Sequence, residues 1–229
     1  MTFALAVVVS LATPTMWNLT ETSDPPSAVA TAAQETAGQQ STPVDRADGA
    51  ERVGQVEEPV RKPPSRPKLR AGLNERQMAH AVTIVETGQE MGLPRRAFVV
   101  AIATALQESG LRVLANVNVP ESFNYHPRDG YGSDHDSIGI FQQRASIYAI
   151  NDVKWSMDPR YSAIKFYNGL KNVAGWESMS VAEAAQAVQV SAFPDAYAKH
   201  EGAAELIVDS ILEWQQQKKE WEQQQKRGH

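Results

Sequence analysis

The chain of 229 residues contains no cysteine. This excludes disulfides, thiol nucleophiles and cysteine-ligated metals together, and leaves the redox compartment undecided. Positive charge is also short: 22 Lys and Arg stand against 27 Asp and Glu, a net charge of -5. The broad basic field that draws nucleic acid is missing, so neither DNA nor RNA is an expected partner. No internal repeat and no convincing alternating strand pattern is present, and no apolar run reaches the roughly 20 residues that span a bilayer. The one apolar run near the start, FALAVVVSLA at residues 3–12, is soon broken by Pro14 and lacks the Lys or Arg that precede a signal sequence. With Ala28, Val29 and Ala30 as a small-residue cleavage site, residues 1–17 read as an export signal or membrane anchor, to be left out of the fold. The expected location is extracytoplasmic, secreted or anchored by this segment, which would then contact membrane.

Residues 18–72 are rich in Thr, Ala, Gln, Ser and Pro with no apolar periodicity. Such a stretch cannot bury enough surface to offset the entropy of ordering, and reads as a disordered linker. Its last part, PVRKPPSRPKLR, carries Arg61, Lys62, Arg66, Lys68 and Arg70 with no acid. It reads as a solvated Pro-rich spacer or as a contact for anionic lipid or wall polymer.

Helical signals begin at Asn74, an N-cap ahead of Met78, Ala81, Val82, Ile84 and Val85 at helical spacing, with Gly92 as a stop. Pro94 opens a second helix that runs to Gly110. Asp158 and Pro159 cap a third through about Asn172, and Ser180 with Glu183 form a capping box for VAEAAQAVQVSA. A last helix is expected from about Asp195 into the Gln-rich tail, where Trp214 and Trp221, seven apart, share a face. The expectation is a mainly α domain over residues 73–214 and a helical Gln/Lys-rich tail over 215–229.

The second helix is unusual because residues 98–106 (FVVAIATAL) carry no charge, after which Glu108 stands two residues before Gly110. A helix apolar on all sides is surrounded by protein. A glutamate in its last turn meets partial desolvation and the negative end of the helix dipole, and both disfavour ionisation. A carboxylic acid that keeps its proton near neutral pH is what general-acid cleavage of a glycosidic bond requires. Thirty-one residues after Glu108 comes Gln-rich punctuation of another kind, GIFQQR at residues 139–144.

The pair ALQESGL and GIFQQR resembles the first two motifs of the soluble lytic transglycosylase and goose-type lysozyme group of the lysozyme-like superfamily. The same block is similar to the lysozyme-like proteins that actinobacteria export. The resemblance covers about residues 74–212 and implies a two-lobed, mostly helical fold with a sugar-binding cleft. It implies Glu108 as the catalytic acid and Ser109 as the serine that orients the acid or a sugar. It further implies Gly139, Ile140, Phe141 and Gln142 as the turn that approaches and contacts substrate, with Phe141 in place of a methionine. The family's later Ala-Tyr-Asn has its best match at Ala187, Val188 and Gln189, so the tyrosine is absent there. Tyr167 and Tyr197 are the alternatives for supplying its hydroxyl.

Between the two motifs lie Asn116, Asn118, Phe123, Tyr125 and Tyr131, amides and aromatics of the kind that bind and stack on sugars. The connection ends in Asp134, His135 and Asp136. Three consecutive residues converge poorly on one ion, so no metal is expected, and the resemblance implies no cofactor. Asp134 or Asp136 is instead a candidate base for a hydrolytic water, while His80, His126 and His200 read as structural or exposed. Three functions follow as expectations: a lytic transglycosylase of peptidoglycan glycan strands using Glu108, a goose-type-like hydrolase using Asp134 or Asp136, and a non-catalytic wall-binding or scaffold module with a cell-envelope assembly partner.

Overall fold

The computed structural model describes residues 62–146, 153–190 and 194–228. The apolar run at residues 3–12 and the linker up to residue 61 lie outside the described residues. The described part is mainly α. Its first helix, α1 (Glu75–Glu90), starts on a reciprocal box in which the Asn74 side chain accepts from Gln77 N and the Gln77 side chain accepts from Asn74 N, both at 3.0 Å. The second, α2 (Arg95–Ser109), is buried without a break from residue 97 to 105. It is the central helix that its apolar sequence requires, packed by α1, α4 (Pro159–Lys171), α5 (Val181–Gln189) and α6 (Glu201–Arg227). Its one polar residue inside that run, Thr104, donates to the Val100 carbonyl at 2.7 Å, so burial leaves no donor unmet. A short α3 (Val153–Ser156) precedes α4.

The ends of these helices fall where local chemistry puts them. Gly110 stops α2 at φ 62, the left-handed conformation that glycine adopts without a Cβ penalty, and Leu111 N returns to the Ala105 carbonyl at 3.0 Å. Asp158 caps α4 by accepting from Arg160 N and Tyr161 N. Ser180 and Glu183 form the expected box on α5, which ends at Gln189, three residues short of the expected Ala192. The last helix differs in its first turns: Pro194–His200 is a 3₁₀ segment, and α6 proper begins at Glu201.

The connection after α2 holds four strands that the sequence pattern did not announce. β1 (Leu114–Asn116) pairs in parallel with β2 (Gly130–Gly132), and β3 (Ser137–Ile138) pairs antiparallel with β4 (Gln143–Arg144). Strands of two or three residues are too short to show alternation. Asp129 fixes this segment to α1, accepting from Val113 N at 2.8 Å and contacting His80 Nε2 at 2.8 Å and Arg76 at 3.1 Å. His80 is therefore a structural residue.

Residues 62–70, expected to belong to the linker, lie along α6. Ser210 Oγ donates to the Lys68 carbonyl at 2.8 Å and Trp214 Nε1 donates to the Pro64 carbonyl at 2.9 Å. Lys62 Nζ stands 6.0 Å from the Trp221 ring centre, Arg66 pairs with Glu75 at 2.5 Å, and Pro67 is buried. A Pro-rich segment has little conformational entropy to lose, and composition reads the same whether such a segment is docked or free. The folded part therefore extends to Lys62, eleven residues before the expected boundary at 73.

Candidate active site

Glu108 sits one residue before the end of α2, partly buried, where the buried run of the helix meets the surface. The Tyr197 hydroxyl donates to its Oε1 at 2.7 Å, reaching it from the 3₁₀ segment ahead of α6. Gln189, the last residue of α5, is a second side-chain partner of the carboxylate and donates through Nε2 to the Phe141 carbonyl at 2.9 Å. Burial pushes the Glu108 carboxyl above the usual carboxylate range, and the Asp134 charge adds to the rise; Tyr197 and Gln189 pull the other way. The raised value has the cause that the sequence suggests, desolvation at the rim of a core.

Of the two tyrosines open as hydroxyl donors, the structure brings Tyr197 to the acid. Tyr167 spends its hydroxyl on the Ile84 carbonyl at 3.0 Å, deep in the core. No local pattern in the sequence links Tyr197 to a residue 89 positions away. The only signal was the need for a hydroxyl donor once the Ala-Tyr-Asn match had lost its tyrosine.

The turn at residues 139–142 lies beside the acid, but its side chains do not face a cleft. Ile140 and Phe141 are each 0% exposed, and Phe141 stacks on Phe166 at 4.7 Å between ring centres. These two residues, expected to contact substrate, are core; only their carbonyls are engaged near the site, Ile140 by Ser109 and Phe141 by Gln189. Gly139, expected to let the backbone approach a sugar, serves a closer neighbour. Its φ is 78, and a Cβ there would stand 2.0 Å from the Ser156 carbonyl oxygen, so the glycine is required by α3. Gln142 has φ 48 and turns its Nε2 back onto the Gly139 carbonyl at 2.8 Å.

Ser109 is likewise a lock and not a free hydroxyl. It is buried, donates to the Ile140 carbonyl at 2.7 Å, and accepts from Arg112 N at 3.1 Å. Through it the end of α2 is bonded to the turn, which fixes where Glu108 points. Its contribution to the acid is through the backbone, since the hydroxyl is buried and its one proton is committed to the Ile140 carbonyl.

The acidic residues divide. Asp136 accepts from Arg144 Nε on Oδ1 and from Ser146 N on Oδ2, both at 2.5 Å, across the mouth of the β3–β4 hairpin. Burial opposes its charge, but the Ser146 hydroxyl and amide and the Arg144 guanidinium outweigh it and bring the pKa down to about 2. A carboxylate with both oxygens engaged and so little proton affinity is a poor base, so Asp136 is corrected to a structural clasp. On the hairpin Arg144 faces Ser137 and Asp136 faces Ala145, so the Arg144 side chain reaches Asp136 diagonally. Asp134 is exposed, contacts His135 Nδ1 at 2.8 Å, and is the acid whose charge reaches Glu108.

Asn116 and Asn118 hold the acidic loop instead of offering amides to a ligand. Asn116 Nδ2 donates to the carbonyls of Asp134 and Ser137 at 2.9 and 3.0 Å, and Asn118 Nδ2 to those of Ser133 and His135 at 3.1 and 2.6 Å. Tyr125 gives its hydroxyl to Glu121 at 2.6 Å. Tyr131 is different: it is 70% exposed, its ring is 6.1 Å from Phe123, and it stands three residues before Asp134. It is the expected sugar-stacking aromatic whose ring remains open to a ligand. Among the described residues no group of three or more His, Asp or Glu is placed to hold a metal ion.

The arrangement can donate a proton from a partly desolvated carboxylic acid and then stabilise the carboxylate left behind with two neutral donors. Comparison with family models and with curated proteins finds no match.

Proposed function

We propose that the chain is a lytic transglycosylase that acts outside the cytoplasm on peptidoglycan glycan strands, within a two-lobed lysozyme-like domain. The observation that carries the reading is the partly buried Glu108 with the Tyr197 hydroxyl 2.7 Å from its Oε1. In the reaction, Glu108 gives its proton to the glycosidic oxygen between N-acetylmuramic acid and N-acetylglucosamine, and the bond to the muramic anomeric carbon breaks. The Glu108 carboxylate, held by Tyr197 and Gln189, then takes the proton of the muramic hydroxymethyl group, whose oxygen closes on the anomeric carbon. The proton balance closes on one residue, the product is an anhydro ring, and no water is consumed. Tyr131 offers a ring face to a sugar of the strand.

One observation favours a second reading. Asp134 is solvent-exposed and electrostatically coupled to Glu108, as the base of an inverting hydrolase would be. Product analysis separates the two. Wild-type protein on purified peptidoglycan should release muropeptides with anhydro ends, lighter than hydrolysed ends by one water. Glu108→Gln should lower release by about 10²–10⁴-fold with an unchanged fold. Ordinary reducing ends, with Asp134→Asn as inactive as Glu108→Gln, would replace the transglycosylase by the hydrolase. A folded wild type that binds glycan strands and releases nothing would leave a wall-binding module of an envelope assembly.

A further inference from the structure

Charge is distributed unevenly along this chain. Residues 1–17 carry none, residues 18–60 carry eight acids and two bases, and residues 61–70 carry five bases and no acid. The structure lays the described part of that basic segment against the end of α6, where two tryptophans each face a lysine: Lys62 stands 6.0 Å from the Trp221 ring centre and Lys218 stands 5.8 Å from that of Trp214. Lys62, Lys68 and Lys218 are exposed, and Leu69 between Lys68 and Arg70 is 44% exposed. At 100° per residue, Lys218, Lys219 and Lys226 fall in one sector of α6 beside the tryptophans, a sector that also holds Glu222, while Glu213 and Glu220 fall on the other flank. Half-exposed indoles among lysines, with an exposed leucine, match the chemistry of a membrane interface: aromatic rings seat at headgroup depth and ammonium groups meet anionic headgroups.

The position of this patch is set by helix direction. α6 runs antiparallel to α2: His200, just before α6, meets Gln107 beside Glu108, whereas Asp209 pairs with Arg95 at the start of α2. From Arg95 to Glu108 the helix rises about 20 Å, and Trp214 and Trp221 lie beyond Arg95 on that axis. The basic aromatic patch is thus at the far end of the domain from the carboxylate, by about 20–40 Å.

We propose that residues 62–70 and the end of α6 form a docking surface for an anionic lipid bilayer. Docked in this way, the domain stands on the membrane with Glu108 directed away from it. The complementarity is local, because the chain as a whole is acidic and residues 18–60 are repelled by the same surface. The proposal does not depend on what Glu108 does.

Full-length protein tests it by co-sedimentation with vesicles of phosphatidylglycerol or of phosphatidylcholine. Residues 1–17 have no charged side chain and the acids of residues 18–60 disfavour an anionic surface, so a preference for phosphatidylglycerol points to the basic patch. We expect tighter binding to phosphatidylglycerol, weakened by salt. The triple variant Lys62→Gln, Lys68→Gln, Lys218→Gln should lose that preference by about a hundredfold, at about fivefold per cation, while keeping wild-type binding to phosphatidylcholine and the wild-type Tm. Equal binding of wild type to both lipids, or an undiminished preference in the triple variant, overturns the proposal. Binding of soluble polyphosphate without any lipid preference overturns it too, and gives the surface to an anionic wall polymer.

Discussion

At the end of α2 the chain surrounds Glu108 with neutral donors, the Tyr197 hydroxyl and the Gln189 amide, whereas at the mouth of the β3–β4 hairpin it gives Asp136 a guanidinium and a backbone amide. The two carboxylates flank the same turn, one bonded to it through Ser109 and Ile140, the other three residues before Gly139. Their proton affinities are driven apart: burial raises that of Glu108, while the Ser146 and Arg144 contacts hold Asp136 at about 2. Pairs of acids separated in this way mark which one can carry a proton at neutral pH. The lesson concerns what a neighbour supplies. Arg144 stabilises charge permanently, so Asp136 is fixed; Tyr197 stabilises charge without imposing it, so Glu108 can give its proton and take one back.

The contrast is broken most severely at Tyr197. Tyr197→Phe keeps a buried ring of almost the same shape but deletes the donor to the carboxylate formed in the reaction. A hydrogen bond to a charged group contributes about 1.5–3 kcal/mol, so muropeptide release should fall about 10–100-fold. Without the donor Glu108 binds its proton more tightly, so the alkaline limb of the pH profile should move to higher pH. A purely structural role for Tyr197 would lower the yield of folded protein and leave that limb in place.

How much of this was legible in the sequence depends on how local the cause is. The starts of α1, α4 and α5 could be read because Asn74, Asp158 and Ser180 bond to backbone within three residues of themselves. Glu108 could be read because an uninterrupted apolar run defines a buried helix whatever surrounds it. The strands could not: β1 pairs with β2 in parallel because Asp129 ties the segment to His80 and Val113, contacts 49 and 16 residues long. The motif GIFQ marked the correct place but not which atoms face the acid, since Ile140 and Phe141 look alike whether they line a cleft or fill a core. Gly139 showed the need for a close approach, but not that the approaching atom is the Ser156 carbonyl. The docked segment at residues 62–70 was hidden by its composition, because proline-rich chain is extended in either state.

A smaller effect, on stability, is expected at the other carboxylate. The native pKa of Asp136, about 2, lies below the unfolded value near 3.9, so its stabilising contribution is complete above that unfolded value and is lost as pH falls toward 2. Asp136→Asn should therefore cost about 1 kcal/mol at pH 7 once solvent screening is allowed for, and almost nothing at pH 2. Urea unfolding of the two proteins at both pH values measures it. Equal stability at pH 7 would remove the clasp and return Asp136 to the acids open for catalysis.

The smallest effect sharpens the comparison, because its sign is opposite. Burial raises the native pKa of Glu108 above its unfolded value, so the native state holds its proton over a range of pH in which the unfolded chain has released it. Stability then falls as pH rises through that range, and above it Glu108 is a cost to the fold. Glu108→Gln removes the charge and keeps an oxygen that accepts from Tyr197, so the variant should melt higher than wild type at pH 7. The gain should vanish below about pH 4, where Glu108 is protonated in both states. Tyr197 and Gln189 already offset part of the burial penalty, which keeps the gain below the loss at Asp136. Thermal melts across that pH range test the sign: a variant less stable than wild type at pH 7 would mean that Glu108 is held as a structural carboxylate, in the manner of Asp136, and the contrast between the two acids would be gone.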